Sequence, residues 1–279
     1  RSRLQTVLAA DQLCVNYQPI IDLVNGSMIG FEALARFPAE EGVSILPSEF
    51  IPVAENAGLI HRIGDIVLSH CMEDLSGLSK GLQAMSISIN MSPLELSQEG
   101  LATKMIQMAE KLQVPLSYLV LEVTESPLID RPQSAIRELG HLRDCGCRVY
   151  LDDFGTGYSS MSWLAQLPID GIKIDRSFVT GLLTDPRSSL LVATMVRLAG
   201  DLELDVIAEG VEEEAQIDAL LAMGCTKGQG YLFAAPAPFP ERLSFSNPRC
   251  AAVPASTTSS SAGSPPPAWA RDSTKGDHR

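Results

Sequence analysis

From Met85 to Phe233 the chain repeats one unit: a short apolar run, then a longer segment with helical spacing. The apolar runs are Met85–Met91, Tyr118–Thr124, Arg148–Asp152, Gly171–Asp175, Asp205–Glu209 and Cys225–Phe233. The helical segments between them are Leu96–Leu112, Pro132–Cys145, Ser159–Gln166, Pro186–Asp201 and Glu213–Met223. Strands that alternate with helices pair in parallel, because each helix returns the chain to the same end of the sheet. The opening differs. Leu13–Leu23 and Met28–Phe37 read as two strands joined by the tight-turn dipeptide Asn25-Gly26, which makes them antiparallel. A helix capped by Ser48 and ended after Ala57 by Gly58 follows, then a second over Ile60–Leu78. Eight strands in a chain of 279 residues predict an α/β fold, a modified TIM-type (β/α)8 barrel with an antiparallel first strand.

The barrel is expected over residues 1–245. From Ser246 the chain turns to Ser, Thr, Ala and Pro, ending in Pro265-Pro266-Pro267, and residues 246–279 read as a disordered Ser/Pro-rich tail. The tail carries four basic and two acidic side chains, so −15 of the net −13 falls on the barrel. With no run of Lys or Arg, that charge argues against a nucleic-acid polymer or an anionic membrane as partner. No apolar run reaches the length of a membrane span. The six cysteines form no Cys-x-x-Cys pair and several lie beside apolar residues, which suggests thiols in a reducing, cytoplasmic compartment. The chain lacks an initiator Met and reads as a piece of a longer protein, whose membrane tethering stays open.

At Val149–Ser160 an apolar run ends in two adjacent carboxylates, Asp152 and Asp153, followed by the turn Phe154-Gly155-Thr156-Gly157 and by Ser159 and Ser160 as helix caps. Neighbouring side chains on a strand point to opposite faces, so two adjacent acids share a target only where the strand is ending. Polar residues close nearly every other strand: Glu32, Asn90, Glu122, Lys173, Glu209 and Gln229. Each alone reads equally well as a solvated strand end, a turn residue or a cap. In a barrel, however, these ends converge on one pocket. Five carboxylates against one ammonium leave four net negative charges, which two divalent cations would balance. With four histidines and no thiolate pair, the metal would be bound by oxygen, as Mg²⁺ or Mn²⁺ are. The chemistry suggested is two-metal phosphodiester hydrolysis. Protonated Lys173 is no metal ligand but can hold the attacking water or stabilise developing charge. A metal-dependent barrel aldolase or phosphotriesterase fits worse, because the histidine ligands are lacking.

Glu32-Ala33-Leu34 with Arg36, Asn90-Met91-Ser92, Leu121–Glu125, Asp152–Ser160, Lys173-Ile174-Asp175, Ala208–Glu212 and Gln229-Gly230-Tyr231 together resemble the motif set of EAL-domain cyclic di-GMP phosphodiesterases. The resemblance spans about Leu13 to Phe239. It implies that Glu32, Asn90, Glu122 and Asp152 bind one metal, and that Asp152 and Asp153 bind a second. It implies that Lys173 and Glu209, with Asp153, carry the catalysis. Gln18, Arg36, Leu34, Glu212 and Gln229 would contact the substrate, cyclic di-GMP, and Glu125 would steady the loop after the acid pair as its latch. A homodimer through the region near the Asp152-Asp153 loop would follow. Phe37 and Met91-Ser92-Pro93 depart from the usual pattern, and neither removes a metal ligand. The implied activity is opening of cyclic di-GMP to linear pGpG; the alternative is a catalytically silent cyclic di-GMP receptor.

Overall fold

The computed structural model describes residues 1–38, 45–78, 85–124, 132–157, 164 and 166–239. Strands β1 (Cys14–Asp22) and β2 (Met28–Arg36) form an antiparallel hairpin, with Gln18 opposite Glu32. Strands β3 (Ser86–Met91), β4 (Leu119–Thr124), β5 (Arg148–Phe154), β6 (Gly171–Ile174), β7 (Asp205–Ala208) and β8 (Lys227–Gly228) then follow in parallel, each beside the last. Strand β8 pairs with β1, which closes an eight-stranded barrel in which β1 runs against both neighbours. A short β9 (Ala237–Pro238) pairs with Asn16 and Tyr17 on the outer length of β1. The expected barrel with its antiparallel first strand is the observed one.

The strands carry two cores. Outward side chains such as Phe31, Ile87, Leu119, Val149 and Ile172 join a large cluster with the helices, and all are fully buried. Burying each contributes about 1.5–3 kcal/mol. Inside the barrel sits a separate cluster of Ile20, Val120, Tyr150 and Ile207. Val120, Tyr150 and Ile207 lie two residues before Glu122, Asp152 and Glu209, so the period of two puts them on the same inward face, one layer lower. Gly171 occupies the same layer on β6, two residues before Lys173. A Cβ there would stand 2.8 Å from the Tyr150 ring, so the missing side chain is what admits the tyrosine. The Tyr150 hydroxyl donates to Asp205 Oδ2 at 2.6 Å, and Lys227 Nζ lies 2.7 Å from Asp205 Oδ1. An apolar plug, polar only at its lower end, thus seals the barrel beneath the charged layer.

The helices follow the expected spacing, with corrections. The first after β2 is Pro47–Asn56, and Ser48 does not cap it: Pro47 starts the helix with its preset φ, and Glu49 accepts from the Leu46 amide at 3.0 Å. Gly58 does follow its end, at φ +68°. The segment expected as one helix over Leu96–Leu112 is two, Pro93–Leu96 and Leu101–Leu112, because Gly100 turns left-handed at φ +85° between them. Cys225–Phe233 is extended only over Lys227–Gly228 before a turn begins at Gly230. Two helices were not anticipated: Ser2–Ala9, whose Leu4, Val7 and Leu8 are buried, and Arg176–Thr180, capped by Asp175. Cys71, Cys147 and Cys225 are buried as expected of core thiols, while Cys14 and Cys145 are exposed. Ser159, Ser160, Glu125 and the tail lie outside the described residues. Among the described residues, no helix is long and apolar enough to cross a membrane.

Tyr150→Phe keeps the ring and removes only the bond to Asp205. It should cost about 1–2 kcal/mol, or a few degrees of melting temperature, at neutral pH. Burial alone would raise the Asp205 carboxyl, but Lys227 and Tyr150 outweigh it and hold it low. A depressed carboxylate contributes stability above its unfolded pKa and loses it as pH falls through the folded one. The difference between wild type and variant should therefore shrink below about pH 4. A difference unchanged down to pH 2 would contradict the assignment.

Candidate active site

The upper layer of the barrel is polar and centred on Lys173, which is fully buried. Its ammonium lies 2.6 Å from Glu209 Oε1, 2.8 Å from Glu122 Oε2, 3.3 Å from Glu32 Oε2 and 3.4 Å from Asp152 Oδ1. Burial favours the neutral amine, but the carboxylates of Glu122, Glu32, Glu209 and Asp152 outweigh it and hold the lysine well above its ordinary pKa. Lys173 is a permanent cation here.

One ammonium does not balance the acids around it. Burial, with Glu32 and Asp152 nearby, pushes Glu122 well above the usual carboxylate range despite Lys173. Burial, with Asp152 and Glu32 adding, takes Glu209 up to about 7. Glu32 goes the other way. Burial would raise it, but Lys173, Gln229 and Asn90 hold it below the ordinary value. Gln229 Nε2 donates to Glu32 Oε2 at 2.6 Å and to Gln18 Oε1 at 2.9 Å, and Asn90 Nδ2 donates to Glu32 Oε1 at 2.8 Å. The two Glu32 oxygens are thus fixed from opposite sides, one from the adjacent strand β3 and one from just past β8, two strands away. Gln18 in turn donates to the Ala234 carbonyl at 3.0 Å.

The acid pair shares a target through its backbone. Asp153 has φ +51°, a left-handed conformation unusual for a residue with a side chain, and the β5–β6 register shifts between Leu151 and Phe154. The kink brings Asp153 round to Asp152, and carboxylate oxygens of Asp152, Asp153 and Glu209 all lie within 4.8 Å of one another. Burial together with the Asp152 and Asp175 charges takes Asp153 up to about 6. Glu122 Oε1 and Gln229 Oε1 are buried without a hydrogen-bond partner, and Asp152 Oδ1 is buried with only the Lys173 ammonium near it, at 3.4 Å. An all-oxygen donor set with unpartnered oxygens and excess negative charge fits a hard divalent cation.

The structure brings together most residues singled out from the sequence. Gln18, Glu32, Leu34, Asp152, Glu209, Glu212 and Gln229 line one cleft of about 190 Å³. Asn90, Glu122 and Lys173 lie beside or beneath it. Arg36 lines neither this cleft nor the neighbouring cavity, and its guanidinium donates to the Ala35 carbonyl at 3.0 Å. Arg176, Gly210, Gly230 and Tyr231 complete the cleft; the last three lie within motifs quoted from the sequence without a role given to them, and Arg176 lies outside every motif. Each stands just past a strand-end motif residue, which is the signal that would have found them.

The EAL domain family model matches residues 1–236. The chain is 37% identical over 241 residues, 86% of its length, to the bifunctional diguanylate cyclase/cyclic di-GMP phosphodiesterase MucR of Pseudomonas aeruginosa. It is 36% identical over 222 residues, 80% of its length, to the cyclic di-GMP phosphodiesterase RocR of the same organism. It spans 35% of the first and 57% of the second, and about three tenths of other curated relatives. The solved structure described as the PaMucR phosphodiesterase, c-di-GMP complex, superposes with a TM-score of 0.81 at 37% identity, covering 85% of this chain and 96% of that one.

Removing the central cation tests the charge balance. Lys173→Met leaves the surrounding carboxylates without a counter-charge and should destabilise the apoprotein by about 3–5 kcal/mol. Millimolar Mn²⁺ should raise its melting temperature more than that of wild type, because the cation replaces the missing charge. Equal shifts in both proteins would show that metal and lysine do not share these carboxylates.

Proposed function

Since this chain belongs to the EAL domain family, we propose that its barrel hydrolyses cyclic di-GMP to linear pGpG, using two Mg²⁺ or Mn²⁺ ions. The observation that carries the reading is the single charged layer, in which acids from four strand ends surround a buried lysine beside an open cleft. In this reading Glu32, Asn90, Glu122 and Asp152 hold one ion. Asp152 and Asp153 hold the other, and the proximity of Glu209 to both aspartates supports a contribution from it. When bound, such ions neutralise the scissile phosphate and acidify water.

The protein's own part follows from its geometry. Formation of pGpG leaves the phosphate on a 5′ oxygen, so water oxygen bonds to phosphorus and the bond to the 3′ oxygen breaks. Glu209, with its carboxyl near 7, is placed to take the proton of the water. Lys173, held protonated, orients that water and stabilises charge on the phosphoryl oxygens. The leaving 3′ oxygen acquires a proton from solvent. Gln18, Leu34, Glu212 and Gln229 line the cleft where the ligand binds, and Arg36, which does not line it, is assigned a phosphate contact on the family's motif alone.

The same reading includes a homodimer and a cytoplasmic place of action. Gly155, at φ +98°, abuts Met195 and Phe178, where a Cβ would stand 2.3 Å from the methionine. The helix Pro186–Asp201 that carries Met195 also exposes Leu190 and Leu191, with Leu183 just before it. A Leu190→Asp variant should sediment as a monomer where wild type sediments as a dimer. Unpaired cysteines among the described residues support a reducing compartment. A barrel over residues 1–245 with a separate tail over 246–279 rests on composition.

Chromatography of products tests the activity. With Mg²⁺ or Mn²⁺ cyclic di-GMP should give pGpG, and with Ca²⁺, which prefers more ligands and longer bonds, turnover should fall steeply. Glu209→Gln should lower turnover by about 100-fold or more while cyclic di-GMP still binds in Ca²⁺. Binding by wild type without turnover in any metal would establish the silent receptor instead.

A further inference from the structure

A second cavity of about 590 Å³ opens beside the charged layer, and it shares Glu32 and Leu34 with the cleft. The cleft alone, at about 190 Å³, is smaller than the roughly 300–1,000 Å³ that small-molecule sites enclose. A dinucleotide therefore needs both compartments. The walls of the larger one are mainly apolar: Ile51, Ile60, Ile63, Val67 and Pro93. Set into them is Glu95, only 6% exposed.

Glu95 is placed by two features. Its Oε2 accepts from the Ser92 amide at 2.9 Å, closing the cap of the short helix Pro93–Leu96. Its Oε1 lies over Gly64, where a Cβ would stand 1.6 Å away, so the glycine is what leaves room for that oxygen. Burial takes the carboxyl up to about 7, with Asp65 and Glu55 adding and Lys104 opposing. A carboxylate on an apolar wall is costly unless donors meet it. Ser92 supplies one donor, at Oε2.

We propose that Glu95 is a specificity-determining residue. It accepts hydrogen bonds from the paired N–H donors of a planar base in the larger cavity. Resting on the dinucleotide reading above, that base is one guanine of cyclic di-GMP, presenting its N1–H and exocyclic amine. Adenine has an acceptor at N1 and would meet the carboxylate with a like-charged lone pair.

The test compares cyclic di-GMP with the cyclic inosine dinucleotide, which lacks the exocyclic amine. The proteins are wild type and Glu95→Gln, each with Mn²⁺. Gln keeps the volume and one acceptor for the Ser92 cap. In wild type, loss of the amine should lower kcat/KM by about 10-fold or more, chiefly through KM. In Glu95→Gln, KM for the guanine compound should rise by a similar factor, and loss of the amine should then cost less than about 3-fold. Gly64→Ala, which displaces the same oxygen, should give the same loss of discrimination. If both variants discriminate as wild type does, Glu95 serves only as a cap and the proposal is overturned. A wild type that neither binds nor cleaves cyclic di-GMP would remove the underlying reading, and the proposal with it.

Discussion

The ammonium of Lys173 is the interaction on which the upper barrel depends. A fully buried cation is tolerated only where opposite charges compensate it, and four strands supply carboxylates within 3.4 Å. The dependence is mutual. Without the lysine the acids would repel one another, and with it they remain in excess. The excess is visible in the carboxyls of Glu122 and Glu209, which burial and the neighbouring acids raise in spite of Lys173. A layer of this kind holds negative charge in a fixed geometry, a donor set that fits hard divalent cations.

That layer is kept in place from below and from the side. The apolar plug of Ile20, Val120, Tyr150 and Ile207 excludes water from the barrel floor, which strengthens every charge interaction above it. Asn90 and Gln229 clamp the two oxygens of Glu32 at 2.8 and 2.6 Å, so this acid is oriented before any ligand arrives. The left-handed Asp153 turns the end of β5 so that consecutive acids face one target. Backbone strain of this sort costs about 1–3 kcal/mol and persists only where the surrounding structure enforces it.

Much of this was legible in the residue order. The alternation of apolar runs and helices specified a barrel, and the Asn25-Gly26 turn reversed its first strand, because both signals are local. The polar strand ends could be gathered into one pocket because barrel topology brings them together whatever the loops do. Other features depend on contacts between distant segments. The positive φ of Asp153 arises from the bulge against β6, and nothing in the pair Asp152-Asp153 announces it. The break at Gly100 was hidden by helical spacing on both sides. The first helix, Ser2–Ala9, is held by packing and by Arg62, which donates to the Leu8 carbonyl at 3.0 Å from 54 residues away. The larger cavity and the seating of Glu95 over Gly64 join two helices and a strand end, and no sequence pattern spans them.

The central claim is that the carboxylates around Lys173 hold two divalent cations in register with a phosphodiester. Anomalous diffraction at the manganese edge, from crystals with Mn²⁺ and cyclic di-GMP and with turnover blocked by Glu209→Gln, addresses it directly. The account predicts two peaks about 3.5–4 Å apart, with Asp152 between them and the phosphate on both. One peak, or peaks away from Glu32, Glu122, Asp152 and Asp153, would contradict it.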